Sequence, residues 1–187
     1  MPAVLWRRLD QPGHDSARLV FHDDQWHLAG TAVFVEAREP CRLDYRVVCD
    51  ASWRTLAASV AGWRGHRAIS IELRADGAGR WQLNDADCPA VAGCLDVDLS
   101  FTPATNLLPI RRLALPIGEK ATVRAAWLTF PALTLEPLDQ GEAVIFTTRY
   151  RPVASARGHY RANMRHGVSR LLSGERYTLG VIFHNAR

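Results

Sequence analysis

An antiparallel, mainly β domain, built as a barrel, sandwich or roll, is the fold class this sequence predicts, and three observations lead there. Apolar and polar residues alternate with period two over Cys41–Asp50 and again over Cys94–Phe101, the mark of half-buried strands. Turn-forming residues recur roughly every 8–12 positions between about a dozen such runs. No strand–helix–strand alternation occurs, which excludes doubly wound nucleotide-type folds.

Taken in order, Trp6 to Leu9 reads as a short strand broken by Gln11-Pro12-Gly13. Ala17 to His22 and Trp26 to Ala37 are two β-rich runs joined as a hairpin by His22-Asp23-Asp24-Gln25. In the next run Cys41, Leu43, Tyr45, Val47 and Cys49 fall on one face, and Arg42, Asp44, Arg46, Val48 and Asp50 on the other. Ser52 to Gly62 is ambiguous, because Trp53, Leu56, Ala57 and Val60 have helical spacing and alanine favours helix. Arg67 to Arg74 and Arg80 to Leu83 form a hairpin across Ala75-Asp76-Gly77-Ala78-Gly79, whose glycines take positive φ at little cost. Ala121 to Phe130, Leu133 to Leu138 and Glu142 to Arg151 are three further strands, punctuated by Pro116, Pro131, Pro137 and Pro152. Tyr160 to Met164, Gly167 to Leu172 and Arg176 to His184 continue in the same style.

The stretch from Gly93 to Leu113 is the most specific in the chain. Leu95, Val97, Leu99 and Phe101 share one face of a strand, with Cys94, Asp96, Asp98 and Ser100 on the other. Thr102-Pro103 reads as an N-cap followed by proline at the first helical position, and Pro109 predicts an end to regular helix at Leu108. Arg111 and Arg112 then return two guanidinium groups close to the two aspartates along the chain.

Cys94-Leu-Asp-Val-Asp-Leu99, Thr102-Pro-Ala-Thr-Asn106 and Leu108-Pro-Ile-Arg-Arg-Leu113 resemble the signature of a bacterial family of unknown function described as putative glycolipid-binding. Looser agreement extends to Trp6-Arg7, to Tyr45 through Trp53 and to Arg149-Tyr150. The resemblance implies a spiral β-roll, a many-stranded sheet rolled around a single short helix and remotely similar to lipoprotein localization factors. It also implies an acidic pocket and a tight homodimer, and it favours strand for Ser52 to Gly62.

A chain of 187 residues buries roughly 70% of its unfolded surface, so residues 1–187 are expected to be a single domain. No apolar run approaches the roughly 20 residues of a bilayer helix. Met1-Pro-Ala-Val-Leu-Trp-Arg-Arg8 is too short and wrongly ordered for a secretory signal, so the expected location is cytoplasmic. The net charge of +4 is carried almost wholly by scattered arginines, Lys120 being the sole lysine. That pattern gives no clustered footprint for nucleic acid. Cys41 and Cys49 lie about 26 Å apart on one extended strand and cannot bridge. Cys88 and Cys94 could meet across a loop, but no Cys-x-x-Cys pair or secretion signal supports a bond, and reduced thiols are expected.

Asp96 and Asp98, with Cα atoms about 6.5–7 Å apart, admit a sugar-hydroxyl site, a metal site, a catalytic pair, or simple anchoring of Arg111 and Arg112 by ion pairs. Glycosidase carboxylates approach the scissile bond from opposite sides, which neighbours on one strand do not. Asn106 suits hydroxyl recognition, or completes local turn bonds. Tyr45, Trp53, Trp63 and Trp81 could line a sugar- or acyl-binding cavity or pack in the core. The histidines form no metal-ligand pattern, and no nucleophile elbow or phosphate loop is present. No catalytic residue, metal or cofactor is therefore expected.

The resulting expectation is a non-enzymatic protein holding a small amphiphilic or sugar-containing ligand at an acidic pocket. Asp96, Asp98, Asn106, Arg111, Arg112, Tyr45, Trp53 and Trp81 are its candidate ligand-binding residues. Its partner would be a second copy in a homodimer, with no nucleic acid and no membrane span. The competing reading is a hydrolase or isomerase acting on a glycosylated or phosphorylated small molecule.

Overall fold

Hairpins carry most of the architecture. In the computed structural model, which describes residues 3–8, 11–116, 119–144, 150–155 and 158–163, eight strands follow one another as antiparallel neighbours in a single sheet ordered as in the sequence. They are β1 (Ala3–Arg7), β2 (Gly13–His22), β3 (Gln25–Glu36), β4 (Glu39–Cys49), β5 (Thr55–Arg64), β6 (Arg67–Ala75), β7 (Trp81–Leu83) and β8 (Ala86–Asp87). The sheet does not close into a barrel; β1 and β8 are its two edges. The β2–β3 turn uses positive φ at both Asp23 and Asp24, as a two-residue hairpin requires. The ambiguous segment beginning at Ser52 is strand from Thr55, its helical spacing outweighed by pairing to both neighbours.

Alternation along β4 is realised fully, because Cys41, Leu43, Tyr45, Val47 and Cys49 are all buried. They share one core with Leu73, Trp81, Val97, Leu99 and Leu108, and complete burial is worth about 1.5–3 kcal/mol for each large aliphatic side chain. Leu108 belongs to α1 (Leu107–Leu113), which follows a 3-10 turn over Ala104–Asn106. The sheet thus lays its inner face over one short helix. Pro103, not Thr102, holds the N-cap position of the turn, although Thr102 Oγ1 does accept from the Ala104 N–H at 3.1 Å.

Pro109 does not end the helix. It occupies the first α-helical turn, where backbone N–H groups lack intrahelical acceptors in any case, and the stop comes instead at Ala114 in the left-handed conformation. On either side of the helix in the chain, β9 (Asp96–Leu99) before it and β10 (Lys120–Leu128) and β11 (Leu135–Val144) after it form a second sheet in the order β11–β10–β9. Here β9 pairs with β10 in parallel, Asp96 opposite Ala125 and Leu99 opposite Leu128, a local departure from the antiparallel expectation. The predicted break between Leu138 and Glu142 is also absent, since β11 runs through both. Pro137 lies inside β11 and Pro152 inside β12 (Tyr150–Ser155); among the described residues each of these strands pairs on one side only, the kind of strand in which proline is tolerated.

The described chain forms two units, Met1–Ala114 with Thr122–Ala143, and Leu115–Ala121 with Val144–Arg187. In the second unit β12 pairs antiparallel with β13 (Gly158–Asn163), from Tyr150 opposite Asn163 to Ser155 opposite Gly158. The strands expected at Gly167–Leu172 and Arg176–His184 lie outside the described residues. All four cysteines are reduced, with Cys41, Cys49 and Cys94 buried and Cys88 half-buried. No described helix is long and apolar enough to cross a membrane.

Candidate functional site

Asp96 opens β9 with its side chain fully enclosed, at 1% exposure, and Arg112 in the last turn of α1 meets it with a two-toothed ion pair. Arg112 Nε donates to Oδ1 at 3.0 Å and Nη2 to Oδ2 at 2.6 Å. This fork ties the helix to the strand, and the hydrogen bonds to Asp96 raise the Arg112 pKa above its ordinary value. The face expected to be wet is therefore dry at Asp96. Asp98, two residues on and opposite Trp127, is half-buried.

Arg111 points elsewhere, its guanidinium carbon lying 5.7 Å from the centre of the Trp53 ring, within cation–π range. Trp53 in turn stacks on Trp26 at 4.3 Å and 19°, and Trp26 meets Phe21 at 4.6 Å. The result is a ladder of Arg111, Trp53, Trp26 and Phe21, with Trp53 and Trp26 half-buried and Phe21 49% exposed. Local backbone chemistry sets Trp53. Asp50 Oδ1 accepts from the Ser52 and Arg54 N–H groups, turning the chain so that Trp53 takes φ +67°. Thr55 then pins this turn to β9, donating its N–H to Leu95 O at 2.9 Å and accepting from the Val97 N–H at 3.2 Å. Asp96, Arg112, Arg111 and Trp53 are thereby brought into one neighbourhood. Cys49 lies there too, its thiol pushed up to about 12 chiefly by burial.

The other sequence-derived candidates divide differently. Asn106 donates its Nδ2 to Pro103 O at 3.2 Å, completing a local turn. Tyr45 lies mid-sheet and reaches across β3 to Asp15 of β2, its hydroxyl donating to Oδ1 at 2.9 Å. Gly30 permits the crossing, because a Cβ there would sit 2.3 Å from the Tyr45 hydroxyl. The Thr102 hydroxyl also donates to Asp15, and Thr102 Oγ1 is 3.1 Å from the Tyr45 hydroxyl oxygen. All three residues are buried. Burial raises the Asp15 pKa, opposed by the two hydroxyl donors, and lifts the Tyr45 phenol well above its usual range.

Trp81 is 2% exposed, and its indole Nε1 donates to Cys94 O at 2.9 Å. It forms part of a cleft of about 640 Å³ with Asp76, Arg80, Gln82, Asp87 and Pro89. A second cleft, about 680 Å³, lies between Arg7, Arg8, His14 and the apolar Val33, Phe34 and Pro40. Asp96 and Asp98 line neither.

A sequence model of the family described as "Putative glycolipid-binding" matches residues 3–166. The chain belongs to this family. A crystal structure of a DUF1089 family protein from Pseudomonas aeruginosa superposes with a TM-score of 0.63 at 31% identity, covering 84% of each chain. Two uncharacterized proteins of Mycobacterium tuberculosis, from strains CDC 1551 and H37Rv, are each 51% identical over 53 residues. That match spans 28% of this chain and 23% of the length of each curated relative.

For this family member, sequence reading missed Phe21 and Trp26, though both flank the predicted β2–β3 turn and a tip aromatic pair was a usable signal. It also missed Asp15 and Thr102, which meet across 87 positions of chain and leave no local pattern. Asp76 and Gln82 have only turn and strand readings in the sequence, and Asp87 has none.

Proposed function

We propose that this protein binds a glycolipid-like amphiphile without transforming it, the ligand lying at the end of the eight-stranded sheet where Trp53, Arg111, Arg112 and Asp96 converge. The observation that carries the reading is the half-buried Trp53, stacked on Trp26 and with the guanidinium of the exposed Arg111 over its ring. A cation–π contact at such an exposed site is worth about 0.5–1 kcal/mol, so Arg111 is a cheaply displaced cover for an aromatic face suited to a sugar ring or acyl chain. Family membership agrees with this class of ligand. The buried Asp96, already committed to two bonds from Arg112, is poorly placed to carry protons for a hydrolase. Of the remaining sequence candidates, Asp98 lies two residues from Asp96 on β9, while Asn106, Tyr45 and Trp81 are committed to Pro103, Asp15 and Cys94.

Native mass spectrometry of the protein purified from the cells that make it tests this reading. A retained lipid adduct that is lost in Trp53→Ala and Arg111→Ala supports it, whereas turnover in a panel of glycosides and phosphoesters contradicts the non-enzymatic assignment. We also propose a homodimer: β1 is a sheet edge carrying Leu5 at 69% and Val4 at 42% exposure, and such an edge needs cover. Sedimentation giving a mass near 20.8 kDa at micromolar concentration contradicts that.

A further inference from the structure

We infer that the cleft over Trp81 receives the ligand's head group, and that this head group is an uncharged sugar. The inference rests on the amphiphile reading above and adds where the polar end goes and what it is. Strand register brings the two regions to one end of the sheet. Trp26 lies opposite Cys49, Cys49 opposite Thr55, Ala57 opposite Arg74, and Ala75 opposite Trp81. Three strand spacings, about 14 Å, separate the strand of Cys49 from that of Trp81.

The cleft's volume of about 640 Å³ falls within the range of small-ligand sites, roughly 300–1,000 Å³. Its charges cancel, with Arg74 and Arg80 against Asp76 and Asp87. A charged head therefore gains little there, in contrast to the cleft of Arg7, Arg8 and His14, which has no lining carboxylate among the described residues. What the Trp81 cleft offers is a fixed set of hydrogen-bonding groups. Asp76 Oδ1 accepts from the Ala78 and Arg80 N–H groups, and Oδ2 accepts from Arg80 Nε at 2.6 Å. The Arg80 backbone and side chain pull the Asp76 carboxyl down to about 2. Asp76 is thus a positioning residue for Arg80.

Gln82 Nε2 donates to Asp87 Oδ1 at 2.9 Å, which fixes both side chains. Among the described residues, the terminal nitrogens of Arg80, Gln82 Oε1 and Asp87 Oδ2 remain for a ligand. Donors and acceptors held side by side suit hydroxyl groups, which both give and take hydrogen bonds. Ala75, Pro89 and Ala92 line the same cleft and supply apolar surface for the C–H face of a ring, and the aromatic ladder at the same end of the sheet supplies a path for a chain.

Calorimetric titration with dodecyl maltoside and with dodecyl phosphocholine, both below their micelle concentrations, separates the head from the chain. Wild-type protein is expected to bind the maltoside more tightly, and Gln82→Ala and Asp87→Ala to weaken it about tenfold while leaving the phosphocholine unchanged. Both residues are solvent-reached, so unchanged melting should accompany the loss. If both variants bind the maltoside like wild type while Trp53→Leu abolishes binding, the cleft assignment is overturned and the amphiphile reading stands. If wild type takes up neither detergent, both fall.

Discussion

Replacing Asp96 by asparagine should destabilise the protein by about 2–3 kcal/mol. The usual cost of breaking a buried ion pair is roughly 3–5 kcal/mol. Two features of this pair lower it: the Arg112 side chain keeps 19% exposure, so water reaches the stranded guanidinium, and the asparagine oxygen still accepts one of its bonds. Its amide, however, sets an N–H donor where a carboxylate oxygen now meets Arg112 at 2.6 Å. For a chain of this length 1 kcal/mol corresponds to about 2–4 °C in melting temperature, so a loss of about 4–12 °C is expected. Arg112→Met should cost a similar amount by leaving the Asp96 charge unpaired. Asp96→Leu combined with Arg112→Met should recover most of the loss, because paired apolar replacement of a buried ion pair is often neutral. Thermal melting and urea titration of the full cycle measure this. A single Asp96→Asn variant melting within 1 °C of wild type would refute the anchoring role and class the pair with surface ion pairs.

The other predictions concern buried titratable groups. Asp15 has a folded-state pKa raised above 3.8 by burial, so its protonated form is favoured by folding. Its contribution to stability is complete below the unfolded pKa and is lost as pH rises through the folded one. The urea midpoint of wild type relative to Asp15→Asn should therefore rise as pH falls from neutrality toward about 4, and a difference independent of pH would contradict the assignment. Tyr45→Phe removes one of the two donors to Asp15 and should cost about 1–3 kcal/mol, read by the same titration. In native protein at pH 8, a maleimide should label the half-buried Cys88 first, while Cys41, Cys49 and Cys94 react only on unfolding. Early labelling of Cys49, whose thiol burial pushes up to about 12, would contradict the buried placement.

Much of this fold is local information. Alternation in β4 and the Asp23-Asp24 turn are short-range patterns, and each could be read without knowing the partner strand. Thr102 likewise bonds the Ala104 N–H from two residues away. Where the reading fell short, the cause was non-local. Pro109 reads as a stop in the sequence because its place within the helix depends on where the preceding 3-10 turn hands over. The parallel pairing of β9 with β10 has no signature in either strand alone. The pairing of the central aspartates with the arginines was legible for Asp96 and Arg112, whose separation is 16 residues. The burial of Asp96 was not, because period-two alternation assigns faces but says nothing of what covers them. Sequence leaves Tyr45 open between cavity and core, because its hydroxyl partner Asp15 lies 30 residues away.

The six tryptophans offer the most direct measurement of where the ligand binds. Each indole N–H gives its own signal in a proton–nitrogen correlation spectrum, assignable by single Trp→Phe replacements. On titration with dodecyl maltoside, the signals of Trp26, Trp53 and Trp81 should shift together. Those of Trp6 on β1 and of Trp63, at the opposite end of β5 from Thr55, should stay in place. Shifts confined to Trp6 and Trp63, or no shift at all at saturating maltoside, would contradict the account.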